Sequence, residues 1–162
     1  LWQQNTLRDA LIAASTLDIF NRLADKVVMS NIAQTINVLQ SLLLTEGDKM
    51  VTTPTYHVYD MYQEHQGGTS VRTTFEVPEV HYVVGDQDGS LFGLGGSASV
   101  KDGVLTLSVV NPQVSEAVEA TIALRGGRAK QGTAQVLAHA DIHAHNSFDS
   151  PAVVTPAPAP LR

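Results

Sequence analysis

Cysteine is absent from this 162-residue chain, tryptophan occurs once, and aromatic residues make up only 6% of it. Without cysteine there is no disulfide scaffold and no thiolate-held metal, and the composition suits a reducing compartment. The expected location is therefore cytoplasmic. Basic residues are scarce too, ten against sixteen acidic ones, for a formal charge of −6. They are scattered and form no stripe, which argues against an electrostatic footprint for nucleic acid. No apolar run reaches the roughly eighteen residues of a membrane span. The longest uncharged stretch, Val27 to Thr45, is broken by Ser30, Asn31, Gln34, Thr35, Asn37, Gln40 and Ser41. No basic leader precedes an apolar segment, so no signal peptide is in view. Neither a nucleic-acid nor a membrane partner is expected, and no cofactor motif is present.

What is there suffices for a core. Hydrophobic residues make up 43% of the chain, an ordinary content for one domain or two small ones. Residues 6–24 read as a helix, because Leu7, Ala10, Leu11, Ala14, Leu17, Phe20 and Ala24 fall at the three-four spacing of one buried face. Thr6 with Asp9 three residues on has the form of a capping box. The β-branched run at Val27, Val28 and Met29 suits a strand covered on both faces. It ends in closely spaced amides, Asn31, Gln34 and Asn37. Polar side chains at the carboxyl end of a buried strand are how α/β barrels build substrate sites. Leu42–Thr45 and Met50–Thr52 flank Glu46-Gly47-Asp48 and predict a hairpin or long loop. Thr53 as N-cap with Pro54 behind it opens a second helix through about Gln66.

Gly67-Gly68 marks a change of texture. Beyond it the chain is β-branched, alternating and rich in turns. Strands are expected at Val71–Val77, Val80–Val84, Ser97–Lys101, Val104–Val110, Ala117–Leu124 and Gly132–Ala138. Asp102-Gly103 is the strongest hairpin signal. Short strands at this spacing indicate an antiparallel sandwich. Pro151 to Pro160 is rich in proline and alanine and expected to be extended or disordered. The domain reading is thus 1–66 as the C-terminal end of a (β/α)8 barrel (helix, last strand, last helix), 67–150 as an antiparallel β-sandwich, and 151–162 as a tail. A closed barrel needs about 250 residues, and the first 66 supply two helices and one strand. The chain is accordingly expected to be the tail of a longer protein.

Several other motifs have bland readings that outweigh sharper ones. His139, His143 and His145 form HxxxHxH, a spacing that could serve a metal; without acidic or cysteine partners it reads better as a polar turn, and no metal site is assigned. Tyr56, Tyr59 and Tyr62 recur every three residues on the second helix and read as packing. His57 beside them reads as a packed or hydrogen-bonded helix histidine. Gly93, Gly95 and Gly96 lack the following helix start that a phosphate loop needs.

Two long segments, QQNTLRDALIAASTLDIFNRLADKVVMSNIAQTINVLQ and LTEGDKMVTTPTYHVYDMYQEHQ, resemble the end of the catalytic barrel in family 51 glycoside hydrolases, the α-L-arabinofuranosidases. SASVKDGVLTLSVVNP and AHNSFDSP are similar to that family's C-terminal β-sandwich. The resemblance implies a retaining exo-hydrolase that removes terminal L-arabinofuranosyl groups from arabinan, arabinoxylan or arabino-oligosaccharides, using two glutamates. In the family both glutamates lie upstream of this segment. None of Glu46, Glu64, Glu76, Glu79, Glu116 or Glu119 sits in a matching motif, so no catalytic residue is assigned. One substrate contact carries over: Gln34, in NIAQ, matches the glutamine that hydrogen-bonds the arabinose. An amide donates and accepts without adding charge beside an oxocarbenium-like transition state. Asn31 is the second substrate-binding candidate, and Asn37 suits orienting Gln34 or its loop. In the resemblance, His145-Asn146 holds a loop together. The family's tendency to multimerise implies a homo-oligomer. The competing readings are a non-catalytic carbohydrate-binding sandwich, disfavoured because residues 69–162 offer only Phe75, Tyr82, Phe92 and Phe148, and a purely structural domain.

Overall fold

The computed structural model describes residues 5–32 and 35–161. Helix α1 (Leu7–Arg22) starts at Thr6, its N-cap. The Asp9 carboxylate accepts from the Thr6 N–H at 2.9 Å and from its hydroxyl at 2.7 Å, the return arm of a capping box. The next N–H groups, on Leu7 and Arg8, would be orphans of the first turn. They donate instead to the carbonyls of Ala144 and Ile142, at 2.9 Å each. Leu7, Ala10 and Ala14 are buried, and Asp18 continues the same stripe. The helix ends two residues short of the expected Ala24, where the Leu23 N–H turns back to the carbonyls of Ile19 and Phe20.

The expected strand at Val27–Met29 is not formed. Residues 27–32 lie outside any ladder, and Val28 and Met29 are 94% and 74% exposed. A parallel strand takes its backbone bonds from neighbours on both sides, and no described segment runs beside this one. Strands β1 (Leu43–Glu46) and β2 (Lys49–Thr52) then form the anticipated hairpin. Gly47, with φ +60°, supplies the positive φ that a two-residue turn needs at its first position.

Helix α2 (Pro54–Tyr62) follows, capped by Thr53 Oγ1, which accepts from the Tyr56 N–H at 3.3 Å. The same hydroxyl donates to the Ser41 carbonyl at 2.8 Å, so the cap also ties the helix to the preceding loop. A 3-10 turn at Gln63–His65 ends the helical segment close to Gln66.

The principal sheet has the order β3-β6-β7, with β3 Thr69–Val71, β6 Gly95–Lys101 and β7 Val104–Val110, all antiparallel. Asp102 and Gly103 turn β6 into β7 with φ of +51° and +79°, as predicted. Among the described residues, strand β4 (Val80–Val84) pairs only with β5 (Gln87–Leu91), and β8 (Ala134–Val136) only with β9 (Ala157–Ala159). The first five residues of β6, GGSAS, are buried, because their small side chains let α1 lie directly on the strand. Leu7, Ala10, Ala14, Val58, Val110, Ala144 and Val154 form the core. It draws on both helices, the sheet and the C-terminal segment. The architecture is a small α/β fold made mostly of antiparallel sheet.

Three strand expectations need correction. Of the expected Val71–Val77 only Val71 joins a ladder, as the last residue of β3. Beyond it Thr73, Phe75 and Val77 still face inward in alternation, and the Phe75 ring lies against Gly96, so packing rather than backbone pairing holds the segment. Residues 117–124 form no strand and are exposed throughout, since no described segment pairs with them. Gly132–Ala138 contracts to β8. Conversely, the proline- and alanine-rich stretch is extended and partly paired, with Pro158 opposite Gln135. Proline donates no ladder bond, so an edge position suits it.

Candidate functional site

Of the two substrate-binding candidates, Gln34 lies outside the described residues. Asn31 is exposed and outside regular structure. The Thr35 carbonyl accepts from the N–H groups of Leu42 and Leu43 at 3.0 Å each. Ile36 forms a parallel bridge to Leu43, and the Asn37 N–H donates to the Leu43 carbonyl at 3.1 Å. Residues 35–37 thus complete the free edge of β1. The Asn37 amide adds three bonds to Thr45. Its Oδ1 accepts from the backbone N–H at 2.8 Å, and its Nδ2 donates to the carbonyl at 3.1 Å and to Oγ1 at 2.9 Å. Residues 35–37 therefore stand on the hairpin.

The carboxylates are committed elsewhere or fully solvated. All six glutamates are exposed, and buried Asp9 caps α1. Asp18 is buried at the α1–β6 contact, where it accepts from Ser97 Oγ at 2.7 Å. Ser97 Oγ in turn accepts from Asn21 Nδ2 at 3.1 Å. Burial pushes the Asp18 carboxyl up, against the lowering effects of the Ser97 bond and the Arg22 charge. Tyr62 donates to the Ala14 carbonyl at 3.2 Å, and its phenol is pushed up by burial first and the Asp18 charge second. His65 is buried with Nδ1 2.8 Å from Ser99 Oγ and Nε2 2.7 Å from Ser108 Oγ. Desolvation lowers its pKa. Sequence reasoning missed this polar network. The signal was present, because Asp18 falls on the spacing of Ala10 and Ala14 and had to be buried with them.

Tyr62 packs as anticipated from its spacing. His57 is half-buried on α2, 3.3 Å from Thr52 Oγ1 and edge-on to Tyr56. His139, His143 and His145 bond to backbone and to Asp141 within their own turn. Among the described residues no group of three His, Cys, Asp or Glu side chains could hold a metal ion. None of the described helices is long and apolar enough to cross a membrane. A shallow open cavity of about 340 Å³ lies between the end of α1 and β3, lined by Arg22, Asp25, Ser70, Arg72 and Thr73 among others. It does not include Asn31.

Asn146 has the role that the AHNSFDSP motif suggested. Its Nδ2 donates to the carbonyls of Thr52 at 2.9 Å and Val154 at 3.0 Å, and its Oδ1 accepts from the Val154 N–H at 2.8 Å. It joins the C-terminal loop to the end of β2, next to the α2 cap.

The profile of the α-L-arabinofuranosidase C-terminal domain family matches residues 1–161. The chain belongs to this family. A curated relative, the intracellular exo-α-L-arabinofuranosidase of Bacteroides ovatus, is 40% identical over 169 residues, which take in 98% of this chain and 30% of that protein. The GH51 arabinofuranosidase of Xanthomonas axonopodis pv. citri superposes with a TM-score of 0.81 at 38% identity, over 98% of this chain and 31% of the other. The thermostable GH51 α-L-arabinofuranosidase of Thermotoga petrophila RKU-1 gives 0.80 at 27% identity, over 98% and 35%. This member of the family thus spans about a third of the length of the relatives it matches.

Proposed function

We propose that this chain is the C-terminal portion of a retaining, exo-acting α-L-arabinofuranosidase. The enzyme would remove terminal non-reducing α-L-arabinofuranosyl groups from arabinan, arabinoxylan or arabino-oligosaccharides. The observation that carries the reading is the family match over residues 1–161, together with relatives named as arabinofuranosidases that take in 98% of the chain. A free-standing carbohydrate-binding or structural module is not favoured by these relatives.

On this reading the two catalytic glutamates belong to the preceding part of the enzyme. Residues 1–66 close its (β/α)8 barrel, residues 67–150 form its C-terminal β-sandwich, and residues 151–162 form a tail. Val27–Met29, outside any ladder here, would become the last barrel strand beside the preceding part of the enzyme, and the exposure of Val28 and Met29 fits a segment to be covered by neighbouring strands. Gln34 hydrogen-bonds the arabinose before the scissile bond, and Asn31 assists. The intact enzyme is a cytoplasmic homo-oligomer; the Bacteroides ovatus relative carries the word intracellular in its name.

The test is kinetic. The intact enzyme should hydrolyse an aryl α-L-arabinofuranoside with retention, and the 162-residue chain alone should not. Gln34→Ala in the intact enzyme costs about 1–3 kcal/mol of transition-state binding in kcat/KM, the range for an unpaired buried polar contact. Activity of the isolated chain would overturn this division of labour. Unchanged kinetics in the variant would remove Gln34 from the site.

A further inference from the structure

We infer that the open cavity between the end of α1 and β3 is a subsite for a uronate, a carboxylated sugar unit of an acidic polysaccharide. The inference rests on the proposed hydrolase reading for the polysaccharide as its source, and on the cavity's own residues for the chemistry.

Two arginines line this cavity in a chain with only ten basic residues. Arg22 sits in the last turn of α1, where a cation complements the helix dipole. Its Nη1 donates to the Gly96 carbonyl at 3.5 Å, which turns the guanidinium toward the sheet. Arg72 directly follows Val71, the last residue of β3. Among the described residues its side chain has neither a hydrogen bond nor an ion pair, and Arg22 has no ion pair. Asp25 lines the same cavity and pairs with neither arginine. Ser70 adds a hydroxyl to the wall. The Thr73 hydroxyl is buried without a partner, a cost that a polar group entering the cavity relieves.

A carboxylate fits a guanidinium fork with two parallel bonds, which is the recognition arginine serves best. A bare oxyanion would meet Asp25 as a like charge. A carboxylated sugar satisfies both sides: its carboxylate takes the arginines, while its hydroxyls donate to Asp25 and bond to Ser70. The volume, about 340 Å³, lies at the low end for ligand sites and suits one monosaccharide unit. The cavity is open, as a site for one unit of a continuing polymer has to be.

The test is calorimetric titration of the intact enzyme with D-glucuronate, D-glucose and inorganic phosphate. Glucuronate should bind with a Kd of about 1 mM, ordinary for a ligand of that size. Binding should weaken about tenfold in Arg72→Gln. Arg72→Lys, which keeps the charge and loses the fork, should stay about fivefold weaker than wild type. Arg72 is exposed, so neither change disturbs the fold. Hydrolysis of an aryl α-L-arabinofuranoside should be the same in wild type and both variants. On a glucuronate-bearing arabinoxylan, KM should rise about threefold to tenfold in Arg72→Gln with kcat unchanged, and on uronate-free arabinan neither should move. Glucose bound as well as glucuronate, or phosphate bound as tightly, overturns the uronate assignment. So does glucuronate binding that Arg72→Gln leaves unchanged, or no binding at all. An intact enzyme inactive on the aryl arabinofuranoside would instead remove the hydrolase reading, and the glucuronate titration would still decide the subsite.

Discussion

Replacing Asn146 by alanine should be among the most damaging single changes in this chain. The side chain is 1% exposed and satisfies three backbone groups, the carbonyl of Thr52 and both the carbonyl and N–H of Val154. Val154 is fully buried, so its two groups gain no water when the amide is removed. An unsatisfied buried polar group costs about 1–3 kcal/mol, whereas the half-buried Thr52 carbonyl has some access to solvent. The sum is about 3–4 kcal/mol, at the upper end of what single substitutions do. In equilibrium urea unfolding this lowers the midpoint by roughly 1.5–2 M, at about 2 kcal/mol per molar for a chain of this size. Asn146→Asp sharpens the test. It keeps the oxygen that accepts from Val154 but turns an oxygen toward two carbonyls, so at neutral pH it should be no more stable than the alanine variant. Acidification should recover part of the loss, as a protonated carboxyl regains one donor. A midpoint shift under about 0.5 M for Asn146→Ala would refute the account, as would an aspartate variant as stable as wild type at pH 7.

Two pH effects of opposite sign come from buried groups bonded to the serines of β6 and β7. The Asp18 pKa is raised by burial, so its favourable contribution is fully present below the unfolded value near 3.8 and is lost as pH rises through the folded pKa. Asp18→Asn, which keeps an acceptor for Ser97, should match wild-type stability in acid and exceed it at neutral pH; a gain that ignores pH would sink the argument. The His65 pKa is lowered by burial, so its contribution is fully present above the unfolded value near 6.5 and is lost as pH falls from there toward the folded pKa. Urea midpoints between pH 7.5 and 5 should fall less in His65→Gln than in wild type, and parallel profiles would exclude the histidine.

The elements legible in the sequence are those whose signals are local. Thr6 with Asp9, Thr53 with Pro54, and Asp102-Gly103 each satisfy a backbone need within three or four residues, and each stands where it was read. Val80–Val84 and Val104–Val110 are likewise strands of those bounds. Strand β5 escaped because Gln87–Leu91 contains aspartate and glycine, poor strand formers, and owes its conformation to the turn at Gly85-Asp86. Strand β9 escaped because alanine and proline signal no ladder, and a partner far back in the chain imposes one. Val27–Met29 and Ala117–Leu124 failed in the opposite way: their β-branched content is real, but a strand exists only beside another. The candidate site was legible only as a motif. Nothing local in Asn31 or Gln34 distinguishes a sugar contact from an amide serving its own backbone, whereas the Asn37–Thr45 clasp became visible only in three dimensions.

The first turn of α1 is closed by the carbonyls of Ile142 and Ala144. During synthesis that helix waits, incompletely capped, until residues more than a hundred positions later have left the ribosome. Its completion is then a late event with a large loop to close, and such long-range contacts slow folding. A premature stop before residue 142 would leave that turn without its two carbonyl partners.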